Sequence, residues 1–195
     1  MLHPFYEYTV PRTLIVGGWL VFIAYWFVSA FFAKRSVRRR GRWFGAFAVR
    51  VELVIGFIVL VRFPWVRSHL RWQPALASFS PWIGAALTLA GIGLAVWARV
   101  HLGRNWGQPQ TLRQDHELVT SGPYRRLRHP IYTGIILALL GTALACGSLL
   151  FILPVGVGAF FVYSIYVEER DMRAQFPDTY DAYCARTNRL VPFIW

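Results

Sequence analysis

Residues 14–42 read "LIVGGWLVFIAYWFVSAFFAKRSVRRRGR". The stretch from Leu14 to Ala33 carries no charged side chain, and about 20 apolar residues make one helical crossing of a bilayer core. Lys34, Arg35, Arg38, Arg39, Arg40 and Arg42 follow at once. An apolar run with a polybasic flank and no small-residue cleavage site before it reads as a retained membrane helix, not a cleaved signal peptide. The flank is expected on the cytoplasmic side.

The composition agrees with that reading. The chain has 195 residues, 56% hydrophobic and only 15% charged, with a mean hydropathy of +0.41. A soluble domain of this length rarely carries so little charge. Lys and Arg outnumber Asp and Glu by 21 to 9, an excess that in a soluble protein would suggest nucleic acid. Here the arginines flank apolar runs, so the positive-inside rule accounts for them and no nucleic-acid partner is expected. Cys146 in an apolar run and Cys184 in a polar tail make neither a disulfide framework nor a metal site.

Four further apolar runs follow, near residues 44–63, 81–100, 131–145 and 149–167. The first of these has Arg50 and Glu52 near its start and stops at Pro64. The last two are joined only by "CGS", so short a link that an antiparallel helical hairpin is expected. The loop over 64–80 holds only Arg67 and Arg71, whereas 101–130 holds Arg104, Arg113, Arg125, Arg126 and Arg128. Arg170, Arg173, Arg186 and Arg189 lie beyond the last run. The expected fold is therefore all-α and polytopic, with about five transmembrane helices. The N-terminus falls outside and the C-terminus in the cytoplasm.

Polar chemistry gathers in two pieces, "SGPYRRLRHPIYTG" (121–134) and the tail from Glu168 to Trp195. They lie at the two ends of the expected hairpin, so they should be neighbours on the cytoplasmic side. Pro130 suits the first turn of the helix that follows, where backbone N–H groups are open to an anion. Tyr124 and Tyr132 can offer ring faces to a cation. A juxtamembrane loop with snorkelling arginines and interfacial tyrosines fits the same residues equally well. Glu168 and Glu169 come directly after an apolar run, where two carboxylates at a helix C-terminus would oppose the macrodipole. Arginines of the loop are expected to offset them. Either the pair clamps loop to tail, or a carboxylate reaches a bound cation or ribose. Arg99 and His101 stand at the cytoplasmic end of the third run, a boundary at which ionisable groups can face a cavity. No spacing matches a zinc site, a P-loop or a hydrolase elbow, and no metal is expected. The glycine pairs at 91/93 and 156/158 lie inside apolar runs, where small residues serve helix packing.

The chain carries H-x-L-V-T-x-G-x-Y over 116–124 and R-H-P-x-Y-x-G over 128–134. A Glu pair, F-x-x-x-Y-x-x-Y over 176–183 and a closing P-F-I follow. On these motifs, roughly from residue 97 to 195, the sequence resembles the isoprenylcysteine carboxyl methyltransferase family, with membrane phospholipid N-methyltransferases as looser relatives. The resemblance implies a single membrane domain over 1–195, with variable helices over 1–96 and a catalytic core over 97–195. It implies an enzyme that binds S-adenosylmethionine on the cytosolic side and methylates a lipophilic, membrane-embedded or prenylated acceptor. His116, Glu117, Leu118, Val119, Tyr124, His129, Pro130, Ile131, Tyr132 and Glu168 fall on the cofactor positions. Arg186 and Arg189 lie in the closing segment, and Glu169 or a histidine is a candidate base for an amine or thiol acceptor. The prenylcysteine enzymes place a substrate-binding arginine one turn before the cofactor glutamate. Here that position is Ser164, and Arg99 is the candidate substitute. A lipid-amine or small-thiol methyltransferase stays open as an alternative. So do a membrane NADPH-dependent reductase of similar architecture and a non-enzymatic protein whose loop only clamps its tail.

Overall fold

The computed structural model describes residues 4–31, 79–103, 118–146, 151–192 and 195. Its long helices are α1 (Pro4–Phe31), α2 (Ser80–Leu102), α3 (Pro130–Cys146) and α4 (Ile152–Gln175), followed by the short α5 (Tyr180–Cys184). A 3-10 turn, Gly122–Arg125, precedes α3. Among the described residues the single β feature is a parallel bridge between Leu127 and Asn188. Among the described residues, three helices are long and apolar enough to cross a membrane: the Tyr8–Ser29 part of α1, α2 and α4. At 17 residues, α3 is a shorter apolar helix. The run expected at 44–63 and the link between α3 and α4 lie outside the described residues.

Two helices differ in extent from the apolar runs that mark them. α1 begins ten residues before Leu14 and carries Pro11 within it. α4 continues for two turns past Val167, through "EERDMRAQ" to Gln175. Glu168 and Glu169 are therefore not at a helix C-terminus, and the expected conflict with the macrodipole does not arise. Hydropathy marks where the bilayer ends, whereas the helix itself runs on while its residues favour it.

Among the described helices the closest pair is α2 with α3, and glycines make it so. A Cβ on Gly91 would lie 2.5 Å from the carbonyl oxygen of Gly134, and one on Gly134 would lie 2.5 Å from that of Gly91. Gly84 and Gly141 face each other in the same way. Gly84, Thr88, Gly91 and Ala95 thus meet Gly134, Ala138, Gly141 and Ala145 from an antiparallel partner, backbone against backbone. Lipid offers no hydrophobic drive to join two apolar helices, so close backbone approach and its dispersion contacts hold them instead.

Hydrogen bonds inside this seam tie in α1. Trp19 Nε1 donates to Thr142 Oγ1 at 3.0 Å, and Thr142 Oγ1 donates to the Ala138 carbonyl at 2.8 Å. Thr88 Oγ1 lies 3.2 Å from Thr142 Oγ1 and donates to the Gly84 carbonyl at 2.8 Å. Phe22 of α1 packs with Ile92, Ala95 and Ala138. At the other end of α1, Arg99 of α2 donates from Nη2 to the Ser29 carbonyl at 2.7 Å and from Nη1 to the Gly103 carbonyl at 2.8 Å. Arg99 is 3% exposed, so it joins two helix ends from within the bundle. Leu20, Val21, Ile23 and Phe27 on α1 point outward with more than half their surface bare, as lipid-facing side chains do.

Candidate functional site

The site is assembled where the turn before α3, the polar end of α4 and the tail meet. Backbone pairing sets the register. Arg128 N–H donates to the Asn188 carbonyl at 2.8 Å, Asn188 N–H to the Arg126 carbonyl at 3.0 Å, and His129 N–H to the Arg189 carbonyl at 3.1 Å. Helix starts leave N–H groups without intrahelical acceptors, and the tail supplies one at the residue just before α3. Thr133 Oγ1 donates to the Leu190 carbonyl at 2.7 Å, and Tyr183 Oη to the Tyr124 carbonyl at 2.8 Å. Burial pushes the Tyr124 and Tyr183 hydroxyls well above the usual phenol range, so both stay neutral. Gly122 adopts φ +59°, and a Cβ there would sit 2.7 Å from the His101 ring, a left-handed, crowded position that suits glycine. His101 Nε2 is 2.8 Å from Ser121 Oγ.

Glu168 and Glu169 enter this junction from α4 with different partners. Glu169 Oε1 accepts from Arg128 Nε at 2.7 Å, while Arg189 donates to its carboxylate from Nε at 3.2 Å and Nη2 at 3.1 Å. Only 2% of the Glu169 side chain is exposed. Two guanidiniums therefore offset one buried carboxylate, as a buried charge requires. Arg128 goes further, with Nη1 donating to the Cys184 carbonyl at 3.1 Å and also to the Thr187 carbonyl. Arg189 is flanked by the rings of Tyr166 at 5.1 Å and Trp195 at 5.3 Å, cation–π geometry. Glu168 keeps 21% of its side chain exposed and accepts from the Tyr132 hydroxyl.

His129 is wedged between the two carboxylates. Its Nδ1 is 3.4 Å from Glu168 Oε2 and its Nε2 is 3.7 Å from Glu169 Oε1. Burial works to lower its pKa, but Glu168 and Glu169 outweigh burial and raise it above the ordinary histidine value. The ring stacks parallel to Tyr132 at 5.5 Å, and Tyr132 in turn stacks on Phe161 at 4.1 Å. A row of three flat rings thus ends beside the half-buried Glu168 carboxylate. That carboxylate, 21% exposed, suits a positively charged group.

The residues singled out in the sequence are distributed as follows. His129, Tyr132, Glu168 and Glu169 meet in one cluster, and Arg189 joins it through Glu169. Tyr124, Ile131, Val119 and Tyr132 share an apolar cluster with Ala98 and Leu102, and Pro130 is buried at the start of α3. Leu118 is half-buried and Arg186 is exposed on the tail. Arg99 bonds the carbonyls of Ser29 and Gly103, and Ser164 is buried with its hydroxyl on the Phe160 carbonyl of its own helix. His116 and Glu117 lie outside the described residues. Arg128 is the loop arginine that offsets the Glu pair, as expected of that group of cations, and it does so at Glu169; Phe161 joins the site without being expected there. In the sequence Arg128 is one of several loop cations, although it opens the R-H-P motif. Phe161 looks like any apolar residue of its run.

Comparison with known proteins supplies the family context. The model of the phospholipid methyltransferase family matches residues 79–179. Protein-S-isoprenylcysteine O-methyltransferase B of Arabidopsis thaliana is 29% identical over 153 residues, covering 76% of this chain and 74% of that protein. Methanethiol S-methyltransferase 2 of Bradyrhizobium diazoefficiens is 27% identical over 210 residues, covering 95% of this chain and 80% of that protein. The solved structure of a eukaryotic intramembrane Ras methyltransferase, isoprenylcysteine carboxyl methyltransferase, superposes with a TM-score of 0.55 at 26% identity. That superposition covers 81% of this chain but 55% of the other, so this chain spans about half of that enzyme's length.

Proposed function

The chain belongs to the phospholipid methyltransferase family, and we propose that it transfers a methyl group from S-adenosylmethionine to a lipophilic, membrane-embedded acceptor, in the manner of the isoprenylcysteine carboxyl O-methyltransferases. The observation that carries this reading is the Glu168–Tyr132–His129 cluster, which stands on the family's cofactor motif and is backed by the ring row. The cofactor supplies an activated methyl on a sulfonium. Glu168, the more exposed of the two carboxylates, fits its cationic groups. Val119, Tyr124 and Ile131 pack with Tyr132 in one apolar cluster, and Leu118 and Pro130 complete the apolar set by resemblance. His116 and Glu117 complete the set by resemblance.

The state of Glu169 bears on the acceptor. Two guanidiniums hold its carboxylate, which leaves it poorly suited to remove a proton. A carboxylate acceptor needs no base, being ionised at neutral pH. Its oxygen forms the new bond to carbon while the carbon–sulfur bond breaks and the electron pair leaves with sulfur. What the chain must provide is placement and a dry surround. Arg186, exposed on the tail, is the candidate to meet an anionic acceptor. Arg99 and Arg189 are engaged in holding helix ends and the Glu169 carboxylate.

A small thiol is the second reading. It is favoured by the likeness to a methanethiol S-methyltransferase over nearly the whole chain and by Ser164, buried where the prenylcysteine enzymes carry an arginine.

The full topology belongs to the same proposal. About five crossings, a hairpin of α3 and α4, the N-terminus outside and the site in the cytoplasm together satisfy the arginine distribution. Detergent-purified protein and a Glu168→Ala variant, given labelled S-adenosylmethionine with N-acetyl-S-farnesylcysteine, methanethiol or phosphatidylethanolamine, provide the test. Label in a base-labile ester of the prenylcysteine, absent in the variant, is the expected result. Label in the thiol alone selects the second reading, and no label in any acceptor together with no cofactor binding overturns both.

A further inference from the structure

Arg128 has no assigned role, yet it touches more of the junction than any other described cation. From one side chain it reaches Glu169 on α4 and the carbonyls of Cys184 and Thr187 on the tail. Its own N–H continues the backbone pairing to Asn188. The oxygen of Glu169 that it engages, Oε1, is the one that faces His129 Nε2. His129 in turn faces Glu168 through Nδ1. An uninterrupted chain of contacts therefore runs from Arg128 through Glu169 and His129 to the carboxylate that stands in the cofactor position.

We propose that Arg128 is a positioning residue for methyl transfer: by holding Glu169 and the tail it fixes the His129 ring between two carboxylates and so sets the place of Glu168. This inference rests on the function proposed above, and it gives Glu169 a part in the same device. Arg128 itself reaches Glu168 through Glu169 and His129.

The groups around His129 determine what its removal does. Glu168 and Glu169 face the ring from α4, Tyr132 stacks on it from α3, Arg128 is its neighbour on the turn, and Arg189 reaches it through Glu169. Taking away the Arg128 guanidinium removes a nearby positive charge and the shortest hydrogen bond to Glu169 Oε1, leaving that oxygen to Arg189 Nε at 3.2 Å. Both changes favour a proton on His129. A lysine keeps the charge but cannot span Glu169 and the tail carbonyls together, because it lacks the guanidinium fork.

The test uses the full chain in detergent with Arg128→Gln, Arg128→Lys and, as the signal assignment, His129→Gln. The first readout is the titration of the His129 ring by NMR without cofactor. The second is kcat/KM for S-adenosylmethionine with N-acetyl-S-farnesylcysteine. In Arg128→Gln the His129 midpoint moves up and kcat/KM falls about a hundredfold, the size expected for a site displaced by an ångström. Arg128→Lys recovers part of each. If Arg128→Gln does not fold, the lysine variant carries both readouts, with a smaller shift and loss expected. An unchanged His129 titration and an unchanged kcat/KM in a folded variant would overturn the proposal and reduce Arg128 to a tail anchor. Failure of the wild type to bind S-adenosylmethionine would instead sink the functional reading, and the cofactor-free titration would still show whether Arg128 governs the ring.

Discussion

Glu168 and Glu169 are adjacent in sequence, yet one accepts from the Tyr132 hydroxyl at a half-buried surface and the other is buried between the guanidiniums of Arg128 and Arg189. Consecutive helical residues point about 100° apart, so one helix turn presents one carboxylate to a ligand surface and the other to the scaffold. Glu169→Gln removes the charge that offsets two partly buried arginines and should destabilise the protein by about 3–5 kcal/mol. Denaturant or thermal unfolding in detergent measures it. Glu168→Gln removes one of the two carboxylates that hold the His129 proton, so it should cost less than Glu169→Gln, mostly at acid pH, and abolish calorimetric binding of S-adenosylmethionine.

His129 makes stability depend on pH with a definite sign. Its folded pKa lies above the ordinary value of about 6.5. A raised value means that the folded state holds the proton more tightly, so the stabilisation is fully present below about pH 6.5 and is lost as pH rises through the folded value. Melting temperatures of wild type and His129→Gln, compared from acid to alkaline pH, should differ most at the acid end and converge above that value. A difference that grows with pH would contradict the arrangement of the two carboxylates around the ring.

The α2–α3 seam tolerates no side chain at its glycines. Gly91→Ala or Gly134→Ala places a methyl 2.5 Å from the facing backbone and must push the helices apart, at about 1–3 kcal/mol. Gly93→Ala meets nothing within 4 Å and should be neutral. Folded yield and thermal inactivation of the three variants, measured in parallel, separate a seam from a merely glycine-rich helix.

Arg99 is decided by a similar contrast. Its two bonds to backbone carbonyls hold the end of α1 on α2, and charged hydrogen bonds of this kind contribute about 1.5–3 kcal/mol each. Arg99→Gln should lower the melting temperature and leave the KM for the acceptor unchanged in the protein that remains folded. A raised acceptor KM with unchanged stability would show instead that Arg99 meets the substrate.

Much of the site is legible in the amino-acid sequence. The R-H-P-x-Y-x-G motif, the Glu pair and the tyrosine spacing of the tail point to His129, Tyr132 and Glu168, and the hydropathy places loop and tail on one side. What the motifs do not show is which arginine answers which carboxylate. Arg125, Arg126 and Arg128 lie within four positions of one another, and only the pairing of residues 126–129 with 188–189 turns Arg128, not its neighbours, onto Glu169. The length of α4 escapes the sequence for a related reason, since a helix is continued by local backbone bonds that hydropathy does not register.

By itself, then, the sequence determined the membrane class, the placement of the apolar α2 and α3, and the chemical types gathered at the site. These follow from apolar run length, charge flanks and local spacing, all properties of near neighbours in the chain. Only the tertiary structure decided that α2 and α3 meet through their glycine faces, that Arg99 ties two helix ends, and that Glu168 stays open while Glu169 is clasped. Those outcomes depend on which surfaces approach within a few ångströms across long sequence separations, and helix rotation and strand-like register set that approach.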